Sequence, residues 1–114
     1  MPTSNFDPNT GTYVTLSVAQ TMASNWAGLQ TSLNLSISEA NPKAYAFGNN
    51  KILGIINQSG CEGIRLYNGY ENDKRVLIVV GIDENGNDMT DGYILELSRP
   101  CPPNCGINTV IGWI

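Results

Sequence analysis

The residue pattern predicts an α+β protein, an antiparallel meander of three to four strands with two helices packed on one face. Three observations point there. Ala19, Met22, Ala23, Trp26, Gln30 and Leu33 recur at steps of three and four, the spacing of one helical face. Val76-Leu77-Ile78-Val79-Val80 is an unbroken apolar run, as expected of a central strand covered on both sides. Two alternating stretches flank it, Ile64-Arg65-Leu66-Tyr67 and Tyr93-Ile94-Leu95-Glu96-Leu97, which suit strands with one wet face.

Taken in order, residues 1–14 read as an arm or loop, because Asp7-Pro8-Asn9-Thr10-Gly11 has turn chemistry. A helix is expected over 16–33. Ser17-Val18-Ala19-Gln20 has the form of a capping box at its start, and the Ala-rich stripe with Trp26 is expected to face the core. Pro42 lies in the polar break that follows. A short second helix is expected over 49–59, capped by Asn49 or Asn50 and ended by Ser59-Gly60. Glu71 to Lys74 is a polar hairpin connection, and Asn85-Gly86 suits the positive backbone angles of a tight turn before the third strand. Residues 107–114 read as a final strand. Without a solenoid or propeller period in the sequence, residues 1–114 read as a single domain.

Composition removes several functions. The 114 residues are 41% hydrophobic and only 14% charged, against about 25% charged in an average soluble protein, so disorder through excess charge is excluded. The net charge is −4, and the six basic residues Lys43, Lys51, Arg65, Lys74, Arg75 and Arg99 are scattered, so no nucleic-acid partner is expected. Histidine is absent, which removes the commonest general base near neutral pH and the usual imidazole metal ligand. No Walker A or G-x-G-x-x-G spacing exists, and no cofactor is expected. An apolar run long enough to span a bilayer and a signal-like start are both missing, so a cytoplasmic location is expected. The sequons at Asn34 and Asn57 are read as chance.

Cys61, Cys101 and Cys105 are the residues best placed to form a reactive or ligating cluster, since a meander can bring position 61 near position 101. As metal ligands they lack C-x2-C spacing and a fourth Cys or His. A disulfide closing the loop from Cys61 to Cys101 would contribute roughly 4 kcal/mol but requires an oxidising compartment. Free buried thiols are the plainer expectation. Cys61 is ill suited to nucleophilic catalysis, because a preceding helix C-terminus and Glu62 both raise a thiol pKa. The run from Asp83 to Asp91 is rich in side-chain oxygens but fails the EF-hand pattern, with Asp88 at the glycine place and Ile94 at the glutamate place.

The segments Gly60-Cys61-Glu62-Gly63-Ile64-Arg65-Leu66-Tyr67, Val79-Val80-Gly81-Ile82-Asp83 with Gly86-Asn87-Asp88-Met89, and Cys101-Pro102-Pro103-Asn104-Cys105 resemble those of a group of short bacterial proteins without an assigned activity. The group shares a GCxGIRxY start, a VGxD turn running into GNDM, and a CPPxC tail. The resemblance implies a bacterial source and no mechanism.

The expected role is therefore a non-enzymatic structural or interaction protein that associates with copies of itself. The expected contact residues are Ile107, Val110, Ile111, Trp113 and Ile114, in a tail with no charged residue after Arg99. The alternative role is a metal or redox-thiol site built from Cys61, Cys101 and Cys105.

Overall fold

A computed structural model of the chain describes residues 5–107 and residue 111. It has two helices and two antiparallel sheets, an α+β fold. The elements run α1 (Leu16–Ser32), β1 (Ala44–Ala46), α2 (Asn49–Ile56), β2 (Gly63–Glu71), β3 (Lys74–Ile82), β4 (Ile94–Leu95) and β5 (Arg99–Cys101). The chain divides into two compact units: Phe47–Gly69 and Val76–Ser98 with the stretch up to Gly11, and Thr12–Ala46 and Tyr70–Arg75 with the stretch from Arg99.

The first unit holds the expected meander, apart from the Tyr70–Arg75 hairpin end, in the order β2-β3-β4, with β3 in the middle. The apolar run of β3 explains its place: Val79, Val80 and Ile82 are buried, and with Ile55 of α2 they supply the apolar core of this unit. Asn72 and Asp73 join β2 to β3 with φ of 52° and 62°, so both central residues of the hairpin turn are left-handed, the geometry whose twist matches its strands. Between β3 and β4, Asp83 takes the role expected of turn chemistry. Its Oδ1 accepts from the backbone N–H of Asn85 at 2.9 Å and of Asn87 at 3.0 Å, and Gly86 adopts φ +84°. The last strand is shorter than the expected Tyr93–Leu97, because only Val79↔Leu95 and Val80↔Ile94 pair. The N-terminal segment adds a tie through the Phe6 N–H to the Glu84 carbonyl at 2.7 Å. A Cβ at Gly63 would collide with the Phe6 ring.

Helix α2 starts one residue after Gly48, which caps it without a side-chain bond, so neither Asn49 nor Asn50 is the cap. It also ends at Ile56, short of the expected 59, and Gly60 (φ +85°) belongs to the turn that follows. Gln58 fills that turn: its Nε2 donates to the Ile55 carbonyl at 3.0 Å and its Oε1 accepts the Tyr93 N–H at 2.9 Å.

The second unit contains α1 and a small sheet that periodicity did not reveal. β1 and β5 pair antiparallel, with Ala44↔Cys101, Tyr45↔Pro100 and Ala46↔Arg99 in register. Three residues are too few to show alternation, and Pro100 hides the second strand from any propensity reading. Helix α1 begins where expected, but its cap is Thr15, whose hydroxyl accepts the Val18 N–H at 3.2 Å, and not the Ser17 box.

The helix also faces inward differently from the expected stripe. Ala27 and Gln30 are buried and Ala19, Ala23 and Trp26 are half-buried, whereas Met22 and Leu33 are 59% and 57% exposed. The expected final strand is not seen at Ile107 or Ile111, and residues 108–110 and 112–114 lie outside the described residues.

Candidate functional site

Of the three cysteines, two are paired with each other and one is free. Cys101 and Cys105 are joined by a disulfide whose Cα atoms are 4.7 Å apart, which removes both sulfurs as thiolate ligands. The pairing differs from the weighed Cys61–Cys101 bond because β5 ends at Cys101 and the chain turns at once, with the Asn104 N–H donating to the Pro100 carbonyl at 2.9 Å. Closing so short a loop contributes about 2 kcal/mol in the chain-entropy picture, against roughly 4 for the longer one.

Cys61 is a free thiol in the first unit, half-buried, and its Sγ donates to the Gly63 carbonyl at 3.2 Å. A Cβ at Gly81 would meet the Cys61 Sγ at 3.2 Å and the Met89 Sδ at 3.1 Å, so the thiol lies against the β3 backbone. Among the described residues, no group of three Cys, His, Asp or Glu side chains is placed to hold a metal ion.

A three-residue polar cluster that sequence reasoning did not single out joins β2 to the loop after β3. Arg65 and Tyr67, two apart on β2, share one face of the strand. Both reach Asp88, which bridges β3 opposite Ile82. The Arg65 Nη1 donates to Asp88 Oδ1 at 2.6 Å and to the Gly86 carbonyl at 3.2 Å, and the Tyr67 hydroxyl donates to Asp88 Oδ2 at 2.5 Å.

Hydrogen bonds from Tyr67 and then Arg65 hold the Asp88 carboxyl below the usual carboxylate range. The same carboxylate, accepting the phenolic hydrogen, pushes the Tyr67 hydroxyl above its ordinary value. The hydrogen bond to Asp88 likewise raises the Arg65 guanidinium. The Arg65 Nη1, the Tyr67 hydroxyl and both Asp88 carboxylate oxygens are engaged with one another or with the loop backbone, so the chemistry of the cluster is that of a clamp fastening the 83–89 loop to β2. The signal that could have found it was the i, i+2 pairing of Arg65 with Tyr67 on an alternating strand.

A cleft of about 710 Å³ opens in the first unit beside α2 and β4, with Asn50, Lys51, Tyr93 and Glu96 on its rim. The expected contact tail is visible in part: Ile107 is fully exposed and Ile111 is exposed, while Val110, Trp113 and Ile114 lie outside the described residues. Among the described residues, no helix is long and apolar enough to cross a membrane. No family model, curated protein or solved structure matches the chain.

Proposed function

We propose that the chain is a non-catalytic structural or interaction subunit that associates with copies of itself. The observation that carries this reading is the distribution of large apolar side chains. Tyr13, Leu97 and Ile107 are 85% exposed or more, and Val14, Leu16, Met22, Leu29, Leu33 and Ile111 are all more than half exposed. The buried apolar set among the described residues, by contrast, is small: Ala27, Pro42, Ile55, Val79, Val80, Ile82 and Cys101. Scattered exposed apolar residues are ordinary, but a long run of them from Tyr13 to Leu35 and a second group at the C-terminal end support contact with another chain.

A second copy is the partner we assign, rather than nucleic acid. The net charge of −4 and the scattered basic residues support that choice. The tail from Ile107 to Ile114 is kept as one contact region. The Cys101–Cys105 disulfide supports a compartment where thiols are not kept reduced, in place of the cytoplasm expected from the sequence. The likeness of Gly60 to Gly106 to short bacterial proteins adds a bacterial source to this reading and no activity.

Light scattering and native mass spectrometry over a concentration series test the reading. A mass above one subunit that grows with concentration is expected. A monomer at concentrations up to about 1 mM, where even weak specific contacts fill, would overturn it.

A further inference from the structure

We propose that the outward apolar stripe of α1 is the surface through which two copies of this chain pair, helix against helix and antiparallel. The proposal rests on the self-association reading above and names its surface. At about 100° of rotation per residue, Val18, Met22, Leu29 and Leu33 fall within about 60° of one another. They form a stripe beside the inward one of Ala19, Ala23, Trp26, Ala27 and Gln30. All four are exposed, from 41% at Val18 to 59% at Met22. With Asn25 between them the steps are four, three, four and four, close to the knobs-into-holes spacing of paired helices.

Three observations select a second copy as the occupant. First, the spacing reads the same from either end: Val18 and Leu33, and likewise Met22 and Leu29, lie equally far from the midpoint between Asn25 and Trp26. A two-fold axis at that midpoint sets Val18 against Leu33 and Met22 against Leu29 of the second copy, so the stripe is complementary to itself. Asn25 then lies next to its own counterpart, where a polar residue in an apolar seam favours one register.

Second, no Asp, Glu, Lys or Arg occurs between Asp7 and Glu39, while the whole chain carries a net charge of −4. Two identical acidic molecules repel least where neither carries charge, and this face is such a place. Third, α1 has no acidic residue in its first turn and no basic residue in its last. Its dipole therefore lacks side-chain compensation, and an antiparallel partner supplies it by setting each helix end beside the opposite end of the other. A lipid surface fits less well, because the remaining faces of α1 offer Asn, Gln, Ser and Thr where an interfacial helix carries Lys or Arg.

The test is sedimentation equilibrium on the full chain and two double variants. In Met22→Glu/Leu29→Glu, like charges face each other across the two-fold axis, and the dissociation constant should rise about a hundredfold. In Met22→Glu/Leu29→Lys, opposite charges face each other, and most of the association should return. A parallel pair would instead set Glu against Glu and Lys against Lys, so a Glu/Lys variant as weak as Glu/Glu overturns the antiparallel arrangement. Unchanged association of the Glu/Glu variant overturns the α1 surface while leaving self-association standing, and loss on removal of residues 107–114 would then assign it to the tail. A wild-type monomer overturns both readings. Should the Glu/Glu variant lose its helical circular dichroism, Asn25→Cys in a Cys61→Ser background decides: mild oxidation should link two copies, and failure to link them overturns the proposal.

Discussion

The Tyr67 hydroxyl and the Asp88 carboxylate meet at 2.5 Å across 21 positions of sequence, and this bond ties the loop after β3 to the strand before it. Arg65 completes the clamp from the same strand face, so one carboxylate serves two donors from β2. A hairpin with an extra turn strapped to its first strand resists opening from the loop end. The strap is electrostatic, and it sets a pH dependence.

Its hydrogen bonds hold the Asp88 carboxyl below the usual carboxylate range in the folded chain, so its contribution to stability is present above the ordinary carboxyl value and is lost as pH falls through the lower folded one. The bond to Asp88 holds the Tyr67 hydroxyl above its ordinary value, so its contribution is complete below that ordinary value and is lost as pH rises through the higher folded one. Denaturant midpoints should therefore fall at the acid end through Asp88 and at the alkaline end through Tyr67. In Asp88→Asn the ultraviolet titration of one tyrosine should move back down towards its ordinary value. An unmoved tyrosine titration in that variant would show that the 2.5 Å bond does not form in solution.

Neighbouring isoleucines of α2 provide a contrast in packing. Ile55 is 1% exposed and Ile56 is 45% exposed. Truncating Ile55 to Ala removes buried methyl groups and leaves a void, which costs about 2–5 kcal/mol, a large share of a small protein's stability. Ile56→Ala should cost less than about 1 kcal/mol, since solvent already reaches the side chain. Urea unfolding of the two variants checks the difference; equal losses would mean that α2 packs in another rotation.

The disulfide predicts a thiol count. One cysteine per chain, Cys61, should react with a thiol reagent in the native protein before reduction. Cys101 and Cys105 should become reactive only after a reductant opens their bond. Three thiols reacting without reductant would return the chain to the free-thiol state expected from sequence and remove the argument for an oxidising compartment.

Legibility in the sequence followed the length of each signal. The β3 run and the flanking alternation are long enough to fix a three-stranded meander, and the order β2-β3-β4 agrees with it. β1 and β5 are three residues each, and their pairing depends on a contact between positions 44 and 101 that no local pattern encodes. On α1 the three-and-four spacing was real but degenerate, because two adjoining apolar stripes satisfy it and only packing distinguishes them. The sequence pattern therefore places Met22 and Leu33 inward, whereas the buried residues are Gln30 of the expected stripe and Ala27, a small residue with a weak hydrophobic signal. The Arg65–Asp88–Tyr67 clamp joins two short motifs whose local patterns are separate, one a strand and one a turn.

The buried polar pair of the second unit gives the last expectation. Gln30 is 4% exposed and Asn41 is 8% exposed, and the Asn41 Nδ2 donates to Gln30 Oε1 at 3.0 Å and to the Ser36 carbonyl at 3.3 Å. This amide is what joins the inward face of α1 to the segment leading into β1, since the same Asn41 also exchanges backbone bonds with Ser38, each at 3.1 Å. The Asn41 Oδ1 is buried with no hydrogen-bond partner, so the pair already carries one unmet acceptor. Asn41→Ala removes that unmet acceptor but strands the Gln30 oxygen, and the net loss should be about 1–3 kcal/mol. Adding Gln30→Leu to Asn41→Ala takes away the stranded group as well, so the double variant should recover part of the loss. A double-mutant cycle by chemical unfolding reads the coupling directly. Simple additivity of the two single losses would mean that the two amides do not meet, and that α1 is held to its unit by Trp26 and the alanines alone.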